Sequence, residues 1–136
     1  MSIYVVLVNE RPESRAALDW AVRTVTTTLD ASNVGTEATL HVILGPSTDI
    51  PGGPRYVSPS LSEDVTHQLQ SSGVAHEIVT EPGDPVHRVI SLAEQVKADL
   101  VVIGLAKRSA TLKLFIGSHA RDILVDAPCP VVAVKE

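Results

Sequence analysis

Apolar residues of this chain fall into short runs of strand length, and between those runs they recur at helical spacing. Ile3–Val8 is a continuous run rich in β-branched side chains, the pattern of a strand buried on both faces. Pro12 opens a helix where its missing N–H costs nothing, and Ala17, Trp20, Ala21 and Val25 give that helix an apolar stripe. Thr39–Leu44 is a second strand, closed by Gly45-Pro46. Ser58 caps a second helix with Pro59 in its first turn; Leu61, Val65 and Leu69 line it, and Gly73 ends it. Val74–Thr80 is a third strand. Asp84-Pro85 pairs a capping carboxylate with a proline at the first helical position, and Val86, Val89, Ile90, Ala93 and Val96 follow at helical spacing. Leu100–Ile103 and Val131–Val134 are the fourth and fifth strands, separated by a last helix marked by Ile123, Leu124 and Ala127.

Strands that alternate with helices in this way predict an α/β class. The expected architecture is one domain over residues 1–136, a doubly wound, Rossmann-like parallel sheet with helices on both faces and right-handed crossovers. The irregular stretch Gly45–Pro59 holds four of the nine prolines and three of the eight glycines, so it is either a solvent loop or a lid.

Composition narrows the partners. Only four of the 136 residues are aromatic, so the core must be aliphatic and a stacking platform for single-stranded nucleic acid is excluded. A net charge of −5 argues against DNA and anionic membranes as main partners. The single cysteine, Cys129, excludes an internal disulfide, a CxxC redox motif and a cysteine-based zinc site. The N-terminal run has no basic residues before it and reads as a strand, not a signal peptide, and no apolar run approaches membrane-spanning length. A cytoplasmic location is expected.

In open parallel sheets, ligands bind outside the carboxyl ends of the strands, at the point where strand order reverses. Asn9-Glu10-Arg11 follows strand 1, and Gly104-Leu105-Ala106-Lys107-Arg108 closes strand 4. No acidic residue occurs between Asp99 and Asp122, while Lys107, Arg108, Lys113 and Arg121 all fall there. Gly117-Ser118 then opens the last helix, whose free N–H groups and positive dipole end suit an anion. Phosphate binding is one reading of this segment. A glycine turn, a serine cap and a basic solvated surface is the other.

These residues resemble the universal stress protein (UspA-like) family, whose nucleotide-binding members carry G-x2-G-x9-G-[ST] after strand 4. Gly104, Gly117 and Ser118 stand at the matching spacings, with Lys107 in place of the second glycine. Pro12–Ala21, Leu40-His41-Val42, Gly83-Asp84-Pro85, Ala98–Gly104 and Ala127-Pro128-Cys129-Pro130-Val131 extend the resemblance over the whole chain. It implies strand order 3-2-1-4-5 and a cytoplasmic sensor or regulator binding ATP or another adenine nucleotide, with magnesium only alongside the nucleotide. It also implies a homodimer. By position, Gly104, Gly117, Ser118 and the backbone of His119 would hold phosphate or ribose, within the basic stretch of Lys107 and Arg108. Val8, Asn9 and Val42 would lie against adenine.

Two positions depart from the family. Asn9 stands where the family has aspartate, keeping hydrogen-bonding capacity without the charge. Lys107 replaces a glycine; it would be strained at positive φ, yet its ammonium can meet phosphate as a point charge.

The remaining candidates read as structural: Cys129 as an inert thiol, His41 as packed or at an edge, Asp84 as a helix cap and Trp20 as a cover for the sheet. His67, His76 and His87 lack metal-ligand spacing. GxGxxG after strand 1, the P-loop and the GxSxG elbow are all missing, and no nucleophile–base pair presents itself. Two alternatives therefore stand beside nucleotide binding: an interaction module that binds no nucleotide, and a slow ATPase. In the order 3-2-1-4-5 the last strand is an edge, and Val131-Val132-Ala133-Val134 is short, aliphatic and uncharged. Strand 5 is thus expected to pair two copies across a two-fold axis.

Overall fold

The computed structural model describes residues 2–9, 11–32, 38–45, 59–80, 84–105 and 118–135, with residues 27–32 and 118 as backbone only. The elements are β1 (Ser2–Val8), α1 (Pro12–Ser32), β2 (Ala38–Leu44), α2 (Pro59–Ser72), β3 (Ala75–Val79), α3 (Pro85–Val96), β4 (Leu100–Leu105), α4 (Ser118–Asp126) and β5 (Val131–Lys135). The strands form one parallel sheet of order β3-β2-β1-β4-β5. This is the expected α/β architecture in the expected order.

Alternation of side chains along β1 divides the core. Val6 and Val8 face α1 and α2, where they meet Leu40, Val42, Val102, Ala17, Leu18, Ala21, Leu61, Val65 and Leu69. Val5 and Leu7 face α3 and α4, with Ile43, Val86, Val89, Ala93, Val101, Ile103 and Ile123. The core is aliphatic throughout. Trp20 packs against the α1–α2 side from a half-buried position, covering the sheet as expected.

The element ends differ from the periodic pattern for local reasons. Val74 precedes β3: its N–H goes to Ser72 Oγ at 3.3 Å, so it belongs to the turn after α2, although its side chain is buried. β4 runs past Ile103 because β5 continues beside it, pairing Gly104 with Val134 and Leu105 with Lys135. On α4 only Ile123 is a core position; Leu124 is 41% exposed and Val125 75% exposed.

Caps explain the helix boundaries. Gly73 takes φ 73° after α2, the left-handed turn that glycine allows. Asp84 sits at the start of α3 in extended conformation and its carboxylate accepts from the Val86 N–H at 3.3 Å. At the other end Lys97 adopts the left-handed region, φ 54° and ψ 56°. The Ala98 N–H donates to Ala93 O at 2.9 Å and the Lys97 N–H to Glu94 O at 3.4 Å, a Schellman closure made without glycine.

Candidate functional site

Strand order reverses between β1 and β4, which lie side by side, so the crevice outside their carboxyl ends is the place to look. Val8 closes β1 fully buried, its carbonyl accepting from the Gly45 N–H at 2.9 Å. Asn9 follows, half-buried, and begins a tight turn into α1. Its Oδ1 accepts from the Arg11 N–H at 2.9 Å.

Ser14, one turn further on, locks this arrangement. Its Oγ accepts from the Asn9 N–H at 3.0 Å and lies 2.9 Å from Asn9 O, Asn9 Oδ1 and Arg11 O, with one proton to donate among the three. Ser14 is 5% exposed and Glu13 9%. The Glu13 carboxylate meets Arg11 Nε at 2.5 Å and lies in the first turn of α1, where a negative charge suits the helix dipole.

Gly104 brings β4 into the same place. A Cβ built there would fall 2.0 Å from Glu13 O, 2.3 Å from Glu13 C and 2.7 Å from Ser14 N. The first turn of α1 lies directly on the β4 backbone, and a side chain at position 104 would drive the two apart. Asn9 and Ser14, with Gly104 about ninety positions later in the chain, are thus one cluster at the switch point, with Val8 beneath it.

The other expected site residues are placed less directly. Val42 lies two residues inside the end of β2, paired with Val6 and Ile78 and fully buried, so its side chain supports the sheet. Ser118 is the first residue of α4 and His119, half-buried, the second. Lys107, Arg108 and Gly117 lie outside the described residues, as does most of the loop from Gly45 to Pro59. Sequence reasoning missed Ser14 and Glu13. Their signal was the pattern of Asn9 ahead of Pro12, with an acid and a hydroxyl in the first helical turn.

On the opposite face of the sheet a groove of about 420 Å³ runs between α3 and β2–β3, lined by Ile43, Val79, Asp84, His87, Ser91 and Leu92 among others. Next to Ile43 and Val79 on that face, His41 Nδ1 is buried without a hydrogen bond among the described residues, 3.7 Å from Glu77 Oε2. His76 Nδ1 is 2.8 Å from Val74 O. Burial pushes the Cys129 thiol above its ordinary pKa, and the charge of Asp99 pushes the same way, which favours the protonated form. Among the described residues no three His, Cys, Asp or Glu side chains gather to hold a metal, and no helix is long and apolar enough to cross a membrane.

The universal stress protein family's sequence profile matches residues 2–135. The chain belongs to that family. A universal stress protein of Mycolicibacterium smegmatis is 37% identical over 82 residues, 60% of this chain and 63% of that protein. A Methanocaldococcus jannaschii relative is 35% identical over 54 residues, 40% of this chain and 32% of that protein. The alignments thus span less than two thirds of either relative. Among solved structures, a universal stress protein family protein from Arabidopsis thaliana with AMP bound superposes with TM-score 0.65 at 19% identity, covering 100% of this chain and 92% of that one. One from Archaeoglobus fulgidus in complex with dAMP gives TM-score 0.55 at 20% identity, covering 99% and 98%. At such identities the likeness is one of fold.

Proposed function

We propose that this chain binds an adenine nucleotide in the crevice outside β1 and β4 and acts in the cytoplasm as a sensor or regulator. The observation that carries the proposal is the cluster of Asn9, Ser14 and Gly104, a polar turn seated at the switch point of the sheet. Family members of the same fold that hold AMP and dAMP add weight. In this reading the base lies over the ends of β1 and β2, touching Asn9 with Val8 and Val42 packed below. The phosphates run toward the start of α4, to Ser118 and His119, with Gly104, Lys107, Arg108 and Gly117 along the way and magnesium on the phosphates if present. Slow ATP hydrolysis would be incidental.

Thermal scans with millimolar ATP, AMP and GTP test this. Ligand at ~100 times its dissociation constant adds about 2.7 kcal/mol, a rise of several degrees in Tm for a domain of this size. No shift with any of them would leave the second reading, a dimeric interaction module without nucleotide. What favours that reading is Asn9, whose carbonyl oxygen is already engaged by its own turn.

Two copies are proposed to pair through β5, the sheet edge beyond β4. Val131, Val132, Ala133 and Val134 are all only half-buried there, leaving apolar surface for a partner strand. Sedimentation should give a dimer mass that Val132→Lys or Val134→Lys lowers to a monomer's. A monomeric parent, or a dimer indifferent to both changes, would place the contact elsewhere.

A further inference from the structure

The Asn9 amide has two ends, and its oxygen end is engaged within its own turn. The Arg11 N–H, a backbone donor, points at the amide at 2.9 Å, which fixes that end as Oδ1 and leaves no freedom to exchange oxygen and nitrogen. Ser14 Oγ stands 2.9 Å from the same oxygen and closes its second lone-pair direction whether or not its proton is given there. Ser14 is itself buried and tied to the Asn9 N–H, so the oxygen is held on both sides. The Nδ2 group has no acceptor among the described residues.

On these grounds, and resting on the nucleotide reading above, we infer that Asn9 offers the ligand N–H donors only, so that it reads an acceptor on the base and not the exocyclic amine of adenine. A purine ring nitrogen satisfies such a donor; an amino group opposite it would leave two donors facing each other. An aspartate here would keep the turn, since its first oxygen accepts from Arg11 N–H as the asparagine does, and would turn a second oxygen, a pure acceptor, toward the ligand. Selection at this residue for the 6-amino group is therefore switched off by one atom, and the site tolerates purines that lack it.

The test is a four-way comparison of affinities: AMP and purine riboside 5′-monophosphate, which differ only in the amino group, each against the parent and Asn9→Asp. The added charge of aspartate repels both phosphates equally and cancels in the ratio. In the parent the two ligands should bind within about two-fold of one another, because no charge-assisted bond to the amine is present. In Asn9→Asp the ratio should move toward AMP by roughly ten-fold or more, the worth of a hydrogen bond to a carboxylate. A parent that already rejects the amine-free ligand by that factor, or a ratio unchanged by the substitution, overturns the inference while leaving nucleotide binding intact. If neither ligand binds the parent, the nucleotide reading itself fails and the inference falls with it.

Discussion

The starts of α1 and α3 are written in similar residues and do different things. Each places an Asx side chain ahead of a proline that takes the first helical position, Asn9 before Pro12 and Asp84 before Pro85. Each Asx oxygen accepts from the N–H two residues on, at 2.9 Å in one turn and 3.3 Å in the other. Each helix start also packs near a glycine at the end of a strand. At α3 the contact is a proline ring: a Cβ on Gly45 would find Pro85 Cγ at 3.4 Å. At α1 it is backbone on backbone, 2.0 Å from the site of a missing Cβ on Gly104. Asp84 is exposed and caps its own helix, whereas the Asn9 turn is held by a buried serine and pressed onto the neighbouring strand. The same local signal marks a helix start in both cases; what the turn is packed against decides which one belongs to the crevice at the switch point.

Substituting the two glycines should separate them most strongly. Gly104→Ala forces the first turn of α1 off β4, and neither backbone can yield as a side chain would. We expect a loss of about 3 kcal/mol, near the top of the range for overpacking, or failure to fold. Gly45→Ala adds a methyl at ordinary contact distance from Pro85 and Leu7 and should cost under about 1 kcal/mol. Urea titrations of both variants measure this. Equal midpoints would mean that the close seat of α1 on β4 is not what the fold depends on.

The polar anchors give the next effect. Ser14→Ala removes the acceptor of the Asn9 N–H in a turn largely closed to water, an expected loss of about 2 kcal/mol. Asp84→Ala removes one cap at an exposed helix start, expected at about 1 kcal/mol. Reversal of that order in equilibrium unfolding would show that the α1 turn is held by its packing alone.

How far the sequence foretold this depends on whether a signal is local. Pro12, Asp84-Pro85 and Gly73 act within a few residues, so the helix starts and one helix end are legible, and β-branched runs announce five strands, of which the central β1, β2 and β4 are largely buried while β3 and β5 form the exposed edges. Gly104 was singled out as a backbone that a ligand can approach. The structure adds a second reason for a glycine there, the backbone of Glu13 from a helix about ninety positions earlier, a tertiary contact that no pattern around either residue encodes. Ser14 is different: its partners Asn9 and Arg11 are local, so the hydroxyl in the first helical turn after Asn9 carries a signal for the turn, but its burial against β4 is a tertiary fact. The left-handed Lys97 was invisible because lysine gives no sign of that conformation, which Ala98 and Asp99 impose by leading the chain straight into β4.

That last residue supplies the smallest expected effect, and it tests whether α3 is governed by local geometry at both ends as its start suggests. Lys97 holds φ 54°, where its Cβ crowds the backbone, while its N–H and that of Ala98 close the helix on Glu94 and Ala93. Glycine would relieve the crowding, worth roughly 1 kcal/mol or more, but would also widen the unfolded ensemble, which removes part of the gain. Lys97→Gly should therefore be more stable than the parent by about 0.5 kcal/mol, with affinity for the proposed nucleotide unchanged because the turn lies at the opposite ends of the strands from Asn9. Paired denaturation and calorimetry measure both quantities. A stabilised variant with altered affinity would tie the closing turn of α3 to the crevice, and the separation drawn between the two helices would fail.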